Sequence, residues 1–325
     1  MARPHALVLG VNGQDGSYLA ESLLARGWTV HGIGRQAQSR WIAKMPGYGY
    51  HALDLNDTDA FSALLSVLRP GFLFHVAAVH GAAGFCYEDH WREAHGVNTL
   101  AAHAALEYLR QEAPDGVMIY ASSSKAFGLA MPPVVSESSP RQSTCIYSTT
   151  KNAATDLIAY YRQRHGLRAS VVWTFSHESP RRGAEYFIPK IIDTLARAIL
   201  DRGFAGRIGT LRFASDWGDA AEYMDIVADI AEKAPGRDFI LATGSTWNAQ
   251  DFVDRLFQRY GLHYAEHLIE EQAGGRGVGP SAWRADLSAL RAALGRTPAH
   301  SILEVCDTML RTNHAEAWRM AEARD

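Results

Sequence analysis

Short apolar runs alternate with segments of helical period along the first 175 residues. The run 5–9 has the length of a buried parallel strand, and the segment 17–26 places Leu19, Leu23 and Leu24 at helical spacing. This alternation predicts a parallel sheet whose strands are joined by right-handed crossover helices. The predicted strands are 5–9, 28–33, 50–53, 72–78, 117–121 and 169–174, and the predicted helices are 17–26, 57–68, 87–110 and 147–165.

The alternation breaks after residue 175. We therefore predict an α/β fold of the Rossmann type, in which a doubly wound parallel sheet carries a smaller C-terminal lobe. The sheet domain is expected over 1–175 with returning segments near 215–243, and the lobe over 176–214 and 244–325. The elements predicted in this half are a loop over 176–183, a helix over 187–200, a strand over 239–242, a helix over 249–260 and a glycine-rich loop containing Gly274, Gly275, Gly277 and Gly279.

The composition narrows the classes of protein to which the chain can belong. Of its 325 residues, 47% are hydrophobic and 21% are charged, as in ordinary globular proteins. The net charge of -3 leaves no basic excess for binding nucleic-acid phosphates. No apolar run approaches the length of a membrane span, and the first residues lack the layout of a signal peptide, so we expect a soluble cytoplasmic protein. The three cysteines and fourteen histidines show no spacing typical of a disulfide framework or a metal site.

Three glycines, each three residues after the last, follow the first predicted strand directly. Gly10 permits a tight turn, Gly13 lets the backbone approach a pyrophosphate, and Gly16 lets the next helix pack on the strand. The N-terminus of that helix offers free N–H groups and the positive end of its dipole to phosphate. The pattern therefore predicts a dinucleotide site, with further contacts from Asn12, Gln14 and Asp15.

The end of the second predicted strand bears on the choice between NAD and NADP. An acidic residue there would hold the ribose hydroxyls of NAD. The sequence instead has Arg35, with Arg40 nearby, and an arginine suits the 2′-phosphate of NADP. We therefore favour NADP, with NAD as the alternative. Asp54, just after the third strand, is a candidate either for holding the adenine amino group or for capping the next helix.

Tyr147 and Lys151 stand four residues apart, and therefore on one face of a predicted helix. A phenol is a weak base at neutral pH, but an ammonium and a nicotinamide cation nearby would lower its pKa. The phenolate can then take a proton from a substrate hydroxyl while a hydride leaves to the nicotinamide. Ser122, Ser123 and Ser124 follow the fifth strand at the carboxyl edge of the sheet, where a hydroxyl can bond the reacting oxygen.

Together these residues resemble the GDP-mannose 4,6-dehydratase family of extended short-chain dehydrogenases/reductases. The resemblance rests on the segment 10–21, with its Gly-Gln-Asp-Gly-Ser-Tyr-Leu core, and on His-Glu-Ser-Pro-Arg-Arg-Gly at 177–183. Asp-Trp-Gly-Asp-Ala at 216–220 and Ala-Thr-Gly at 242–244 support it. It implies an NADP-binding sheet domain, a substrate-binding lobe and a nucleotide-linked sugar as substrate.

In that family, NADP oxidises the C4 hydroxyl of a hexose, a glutamate removes the C5 proton, and water leaves from C6. The family's Ser/Thr-x-Glu motif falls on residues 123–125, so that Ser123 matches and the elimination base has become Lys125. Because an ammonium cannot accept a proton, Lys125 favours an epimerase or a simple 4-oxidoreductase. Two alternatives stay open: a true 4,6-dehydratase with a substitute base such as Glu178, and a non-catalytic dinucleotide-binding module.

The resemblance is weaker at the end expected to hold the nucleotide. The family's asparagine before the 177–183 motif is Ser176 here, and its arginine before the 216–220 motif is Ser215. Its Arg-Pro-x-Glu contact appears at 279–282 as Gly-Pro-Ser-Ala. These departures make a related nucleotide sugar more plausible than GDP-mannose itself. The residues that we assign to the substrate are Ser124, Ser176, Lys190 and Arg212, with Arg276 and Arg284 as further candidates for the lost charge.

The resemblance also bears on cofactor contacts and on assembly. In the family, the loop at 181–182 reaches the cofactor phosphate of a neighbouring subunit, and the helices over 87–110 and 147–165 form a four-helix bundle in a dimer. These likenesses imply a homodimer or a homotetramer. The remaining predicted cofactor contacts are Leu55, Ala77, His177 and Arg182, together with Tyr147 and Lys151.

Overall fold

The computed structural model describes residues 3–271 and 283–323. Its strands are β1 His5–Leu9, β2 Thr29–Gly34, β3 Tyr48–Ala52, β4 Phe72–His75, β5 Val117–Ser123, β6 Val134–Val135, β7 Arg168–Thr174, β8 Ser176–Glu178, β9 Gly206–Ile208, β10 Ala214–Asp219, β11 Phe239–Leu241, β12 Thr246–Asn248, β13 Leu268–Glu270 and β14 Arg284–Ala285. Its α-helices are α1 Gln14–Ala25, α2 Thr58–Leu68, α3 Trp91–His95, α4 Ala101–Glu112, α5 Ile146–His165, α6 Phe187–Leu200, α7 Ala220–Lys233, α8 Ala249–Gln258, α9 Tyr264–His267, α10 Ser288–Leu294, α11 Ile302–Asn313 and α12 Ala315–Glu322.

Seven strands form one parallel sheet in the order β3-β2-β1-β4-β5-β7-β11. The predicted Rossmann-type, doubly wound α/β fold is therefore confirmed. The strand order reverses between β1 and β4, because the chain crosses to the other side of β1 after β3. Ligands bind at such a reversal, in the crevice outside the carboxyl ends of the strands. Since β1 ends at Leu9 and β4 at His75, the crevice lies beside the residues that follow them.

Helices cover both faces of this sheet, which is why its strands read as apolar runs rather than as alternating patterns. Leu7 and Leu9 of β1 pack in one buried cluster with residues of α2, α4 and α5. Ala6 and Val8 point to the other face and pack with residues of α1, α7 and α10. The sheet is thereby held between two helical layers, and its carboxyl edge is left open for a site.

A third buried cluster is formed by residues of α6, α8, α11 and α12. Trp217 of β10 packs in it against Phe187 and Phe252, with ring centroids 5.9 and 5.3 Å away. β10 pairs in parallel with β8 and antiparallel with β12. Because β8 follows β7 directly, it carries the chain from the edge of the main sheet to this third cluster.

The predicted helix over 87–110 is present but irregular. A 3-10 turn at Glu88–His90 leads into α3, and a π turn at Gly96–Leu100 separates α3 from α4. Asn98 in the π turn is fully buried. Its amide nitrogen donates to the Thr150 hydroxyl at 3.0 Å, and its side-chain oxygen accepts the Val79 N–H at 3.0 Å. The π turn thus ties the loop after β4 to helix α5.

Two predictions for the second half of the chain need correction. The predicted loop over 176–183 contains β8, whose residues Ser-His-Glu form no apolar run and are held by pairing with β10. The pattern also missed β10 and α7. Helix α7 packs beside α1, where Arg26 pairs with Asp225 at 2.6 Å, and β11 then joins the sheet beside β7. Within residues 215–243, β10 thus pairs with β8 and β12 outside the main sheet, whereas β11 joins the main sheet.

Several predictions concern residues outside the described ranges. They are the glycine-rich loop with Gly274, Gly275, Gly277 and Gly279, the candidate Arg276 and the 279–282 segment. Within the described ranges, no helix has both the length and the apolar character that crossing a membrane requires.

Candidate active site

The glycine turn after β1 brings three backbone segments very close together. Gly10 has a φ of +90°, and a Cβ there would lie 2.8 Å from the Cα of Ala77. A Cβ on Gly16 would lie 2.3 Å from the carbonyl oxygen of Gly10, whereas one on Gly13 would meet that oxygen at 3.2 Å. Side chains at Gly10 and Gly16 would therefore push the turn apart, as the sequence predicts for a turn that cradles a diphosphate.

Helix α1 begins directly after this turn, with Gly13 as its N-cap. The first N–H groups of a helix have no partner within the helix, so they are free to bind phosphate oxygens. Asp15 in this first turn accepts a hydrogen bond from the His177 imidazole at 2.9 Å. Burial raises the pKa of Asp15, but the His177 charge and hydrogen bond bring it down to about 2. The carboxylate is thus balanced by a neighbouring positive charge, and the cradle fits a dinucleotide diphosphate.

Asn12 lies in the glycine turn, but its side chain is used within the protein. Its amide nitrogen donates to the Gln36 side chain at 2.8 Å and to the Gln38 carbonyl at 3.0 Å. Its side-chain oxygen accepts the Arg40 N–H at 2.8 Å. The prediction that Asn12 contributes to the cofactor site is therefore refined: this side chain anchors the loop 35–40 after β2, which carries Arg35 to the edge of the crevice.

A single cavity of about 770 Å³ runs along the carboxyl edge of the sheet. This volume is typical of a site for a small molecule. The predicted site residues Lys190, Arg212 and Arg284 do not line it: Lys190 is exposed on α6, and the two arginines are exposed on other segments. The predicted residues that do line it are Gly10, Asn12, Gly13, Gln14, Asp15, Gly16, Arg35, Asp54, Leu55, Ala77, Ser123, Ser124, Lys125, Tyr147, Lys151, Ser176, His177 and Arg182.

Asp54 lines the cavity beyond β3. Its side chain accepts hydrogen bonds from the backbone and the side chain of Asn56, at 3.0 and 2.9 Å. The N-cap of α2 is Asp57, whose carboxylate accepts the Ala60 N–H at 3.0 Å. Of the two roles predicted for Asp54, capping of the next helix is therefore taken by another residue, and Asp54 remains available to the cavity.

Tyr147 and Lys151 lie one turn apart near the start of α5, and both are buried. The Lys151 Nζ donates to the Ala121 carbonyl at 2.7 Å and lies 5.9 Å from the centre of the Tyr147 ring. Burial lowers the pKa of Lys151 to about 7. Helix α5 thus presents a phenol and an ammonium together at the end of β5, where the three serines also lie.

Burial raises the pKa of the Tyr147 phenol well above its ordinary value, and a hydrogen bond with Ser123 opposes this effect. The sequence argument expects the opposite direction, a pKa lowered by the lysine and by a nicotinamide cation. In the protein alone the desolvation of the phenol outweighs its polar neighbours. Tyr147 is therefore set up as a proton donor in its resting state.

Lys125 reaches into the cavity. It lies in a 3-10 turn at Ser124–Phe127, directly after β5, and its Nζ is 5.7 Å from the ring centres of both Tyr87 and Tyr147. Residue 125 as a whole is exposed. Its ammonium end, however, is surrounded by protein atoms, and this desolvation lowers the pKa of Lys125. The position that the family resemblance assigns to a carboxylate base is thus occupied by an amine facing Tyr147.

Glu178, the predicted substitute base, does not line the cavity. It is buried, and burial raises its pKa to about 7. Its nearest cation is Arg182, whose Nε lies 3.6 Å from the carboxylate, too far for a good hydrogen bond. Arg182 itself lines the cavity, with its guanidinium 3.6 Å from the centre of the Tyr186 ring. The arginine therefore stands between Glu178 and the site.

A group of aromatic side chains around Tyr147 was missed by the sequence reasoning. The His80 ring meets the Tyr147 ring edge-on at 4.8 Å, and its Nδ1 is hydrogen-bonded to the Tyr186 hydroxyl at 3.1 Å. Tyr87 stacks against Tyr147 with ring centres 5.8 Å apart. Only one signal pointed to them, the position of His80 in the loop after β4, at the carboxyl edge. His80, Tyr147 and Tyr186 line the reactive end of the cavity, and Tyr87 packs against Tyr147.

The two substituted positions at the nucleotide end lie in contact. The Ser215 hydroxyl donates to the Ser176 hydroxyl at 3.1 Å across the paired strands β10 and β8. Arg181, which the resemblance directs toward a neighbouring subunit, has partners in its own chain: it donates to Ser17 at 2.9 Å and to Glu21 at 2.7 Å. The two departures from the family pattern at this end, residues 176 and 215, are therefore neighbours in the structure.

Comparisons with known proteins are consistent across sequence and structure. A family model described as GDP-mannose 4,6 dehydratase matches residues 7–309. GDP-mannose 4,6 dehydratase 2 of Caenorhabditis elegans is 30% identical over 292 residues, which cover 85% of this chain and 75% of that protein. The fold matches dTDP-glucose 4,6-dehydratase of Bacillus anthracis, solved with NAD, with a TM-score of 0.80, 14% identity and coverage of 98% and 99% of the two chains. It also matches UDP-glucose 4-epimerase of Thermotoga maritima, solved with UDP-glucose, with a TM-score of 0.78, 17% identity and coverage of 96% and 99%.

Proposed function

Because the chain belongs to the GDP-mannose 4,6-dehydratase family, we propose that it is an NADP-dependent enzyme that oxidises the C4 hydroxyl of a nucleotide-linked sugar. We further propose that it acts as an epimerase or a 4-oxidoreductase. The observation that carries the proposal is the convergence of Tyr147, Lys151 and Ser123 at the cavity end beside the glycine turn. A module that only bound a dinucleotide would have no use for this convergence.

Proton transfer at the sugar hydroxyl is assigned to Tyr147. Ser123 is the last residue of β5 and interacts with the phenol, so that both hydroxyls can bond one substrate oxygen. Lys151, held by the Ala121 carbonyl, places positive charge beside the ring and favours the phenolate when the sugar is oxidised. In the reverse direction the buried phenol, with its raised pKa, returns the proton to the sugar oxygen.

The residues of the glycine turn and the loop after β2 fit the cofactor that this chemistry requires. NADP bound there would supply the acceptor for the hydride from C4. Gly13 and the N–H groups at the start of α1 would hold the diphosphate, Asp54 would face the adenine, and Arg35 would meet the 2′-phosphate. Asn12 supports this assignment because it anchors the segment that carries Arg35.

The charge at residue 125 supports epimerisation or simple oxidation over elimination. Removal of the C5 proton needs a base next to Tyr147, and the side chain there is the Lys125 amine. Among the described residues that line the cavity, Asp15 is paired with His177 and Glu93 lies 3.4 Å from His90, while Asp54 lies beyond β3 and is assigned to the adenine.

A true 4,6-dehydratase is the second candidate, and the family match is the observation that favours it. In that case the amine of Lys125, whose pKa burial lowers, would be the substitute base. Glu178 is a poorer candidate because Arg182 separates it from the cavity.

The test is incubation of the NADP-loaded enzyme with nucleotide sugars in deuterated water. Product of unchanged heavy-atom composition, either the C4 epimer or the 4-keto sugar with reduced cofactor, supports the first proposal. Loss of one water with deuterium at C5 supports the dehydratase. Absence of any turnover over a panel of nucleotide hexoses, with NADP bound, overturns both.

We also propose that the chain forms a homodimer or homotetramer. Leu100, at the end of the π turn, and Tyr160 of α5 expose more than half of their surface, and Trp91 of α3 nearly half. Exposed apolar side chains on adjoining helices are typical of an interface. Light scattering on the purified protein gives the mass directly, and a monomer at micromolar concentration would contradict the proposal.

A further inference from the structure

The Lys125 ammonium is set in a fixed position opposite the reacting phenol. The 3-10 turn that carries it is held by the Ser123 hydroxyl, which accepts the Lys125 N–H at 3.2 Å. The Nζ then lies beside the stacked pair of Tyr87 and Tyr147, 5.7 Å from each ring centre, while the two ring centres are 5.8 Å apart. Two aromatic faces stabilise a cation there without neutralising it.

This ammonium has no carboxylate within ion-pair distance in residues 3–271 and 283–323. Lys44, Lys151 and Lys190 also have no ion pair within the described residues, but only Lys125 and Lys151 line the cavity. The Lys151 ammonium donates to the Ala121 carbonyl, so Lys125 is the lysine whose ammonium is left to face the cavity.

Other positive charges surround the same end of the cavity. Burial, together with the positive charges of Lys125, Arg182 and Lys151, lowers the pKa of His80 to about 3. His80 is therefore neutral, and the cations at this end are Lys125, Arg182 and, in part, Lys151, whose pKa burial lowers to about 7. Such a pocket favours an anionic group on the ligand.

From this arrangement we propose that the sugar carries a carboxylate on C5, and that the Lys125 ammonium is the residue that selects it. The inference rests on the proposed function, because Tyr147 and Ser123 locate the C4 hydroxyl. Because the Lys125 Nζ lies 5.7 Å from the Tyr147 ring, a substituent on a carbon next to C4 comes within its reach, and we assign that carbon to C5. A glycuronate presents a planar carboxylate there, whereas a neutral hexose presents a hydroxymethyl group.

A carboxylate is a better match than a phosphate because a single ammonium, that of Lys125, stands 5.7 Å from the Tyr147 ring and balances the single charge of a carboxylate. A charge-assisted hydrogen bond from the ammonium would then fix the orientation of the sugar ring.

The experiment compares two matched pairs of probes, UDP-glucuronate with UDP-glucose and GDP-mannuronate with GDP-mannose. Within each pair the sugars differ only at C6. Binding is measured by calorimetry on NADP-loaded Tyr147→Phe enzyme, and kcat/KM is measured on the wild type. In at least one pair, we expect the uronate to bind about tenfold more tightly, as one charged hydrogen bond allows, with a ratio that falls as salt is added.

Variants at residue 125 test which side chain is responsible. Lys125→Gln should bring the uronate-to-neutral ratio close to one, and Lys125→Arg should keep part of it. Lys44→Gln, which removes an exposed lysine outside the cavity, is the matched control and should keep the wild-type ratio.

The outcomes separate this inference from the proposed function. Turnover of the neutral sugar with no preference for the uronate overturns the carboxylate assignment and leaves C4 oxidation standing. Tight uronate binding that depends on Lys125, without any turnover by the wild type, supports the assignment and overturns the proposed oxidation. A preference that persists in Lys125→Gln, or failure to bind all four probes, also overturns the assignment.

Discussion

The Asp15 carboxylate and the His177 imidazole meet at 2.9 Å and join the first turn of α1 to strand β8. Both side chains are largely buried and line the cavity. For His177, burial lowers the pKa, but the charge and hydrogen bond of Asp15 raise it above its ordinary value. The pair therefore holds the start of the phosphate cradle against the segment that leads to the second lobe.

This pair should make stability depend on pH. Because the folded pKa of His177 is raised, its contribution is complete below pH 6.5 and is lost as the pH rises through the folded pKa. Because the pKa of Asp15 falls from 3.8 to about 2, its contribution is complete above pH 3.8 and is lost as the pH falls toward 2. His177→Gln should therefore lower the melting temperature more at pH 5.5 than at pH 9, while the exposed His263→Gln should not. An equal loss at both pH values would contradict the ion pair.

Tyr147→Phe should remove the proton carrier and leave the cofactor cradle intact. We expect kcat to fall by about 10²- to 10⁴-fold, the usual contribution of a general acid or base, with dinucleotide affinity nearly unchanged. Tyr160→Phe, on the exposed side of the same helix, is the control. Stopped-flow measurement of cofactor reduction and calorimetry of cofactor binding give the two quantities. Wild-type turnover by Tyr147→Phe would remove this residue from the chemistry.

Gly16→Ala should damage the phosphate cradle, because the new Cβ would lie 2.3 Å from the Gly10 carbonyl oxygen. Backbone must move to relieve this overlap, at a cost of about 1–3 kcal/mol in the free energy of unfolding. Gly71→Ala is matched to it, since a Cβ at Gly71 meets no atom within 4 Å. Denaturant unfolding and NADP titration should show a loss in the first variant only. Equal behaviour of both would mean that the turn adapts freely.

Lys125→Glu places a carboxylate where the family motif has its elimination base. The new side chain extends toward the C5 proton beside Tyr147, so a neutral nucleotide hexose should lose one water, visible as a lower product mass. Lys125→Gln has no base and should give no such product. If Lys125→Glu yields only the products of the wild type, the charge at residue 125 does not decide between the two reactions.

Much of the cavity lining around the glycine turn could be predicted from the sequence because its parts are contiguous along the chain. The glycine turn, its flanking strand and the helix after it form one segment, and their packing follows from local geometry. The spacing of Tyr147 and Lys151 on one helix likewise needs no tertiary information. The serines after β5 could be placed at the carboxyl edge because every strand of a parallel sheet ends there.

The rest of the site depends on contacts between distant segments. His80 and Tyr87 come from the loop after β4 and Tyr186 from the segment before α6, and they meet only through the packing of the folded chain. The sequence could not reveal that Ser176 and Ser215 would contact each other, because β8 and β10 are too short to form apolar runs. Lys190, chosen by resemblance, lies on α6 outside the cavity, and its role in substrate binding remains a prediction.

The anchoring of the loop after β2 by Asn12 has a consequence for protein engineering. Coenzyme preference is usually altered by changing residues at the end of the second strand, on the assumption that this segment is independent of the rest of the site. Here the segment is hydrogen-bonded to the glycine turn. The Asn12 amide donates to it, and the Trp41 indole donates to the Asn12 carbonyl at 3.1 Å. A redesign of this segment that broke these hydrogen bonds would change the affinity for any dinucleotide, as well as the preference between NAD and NADP.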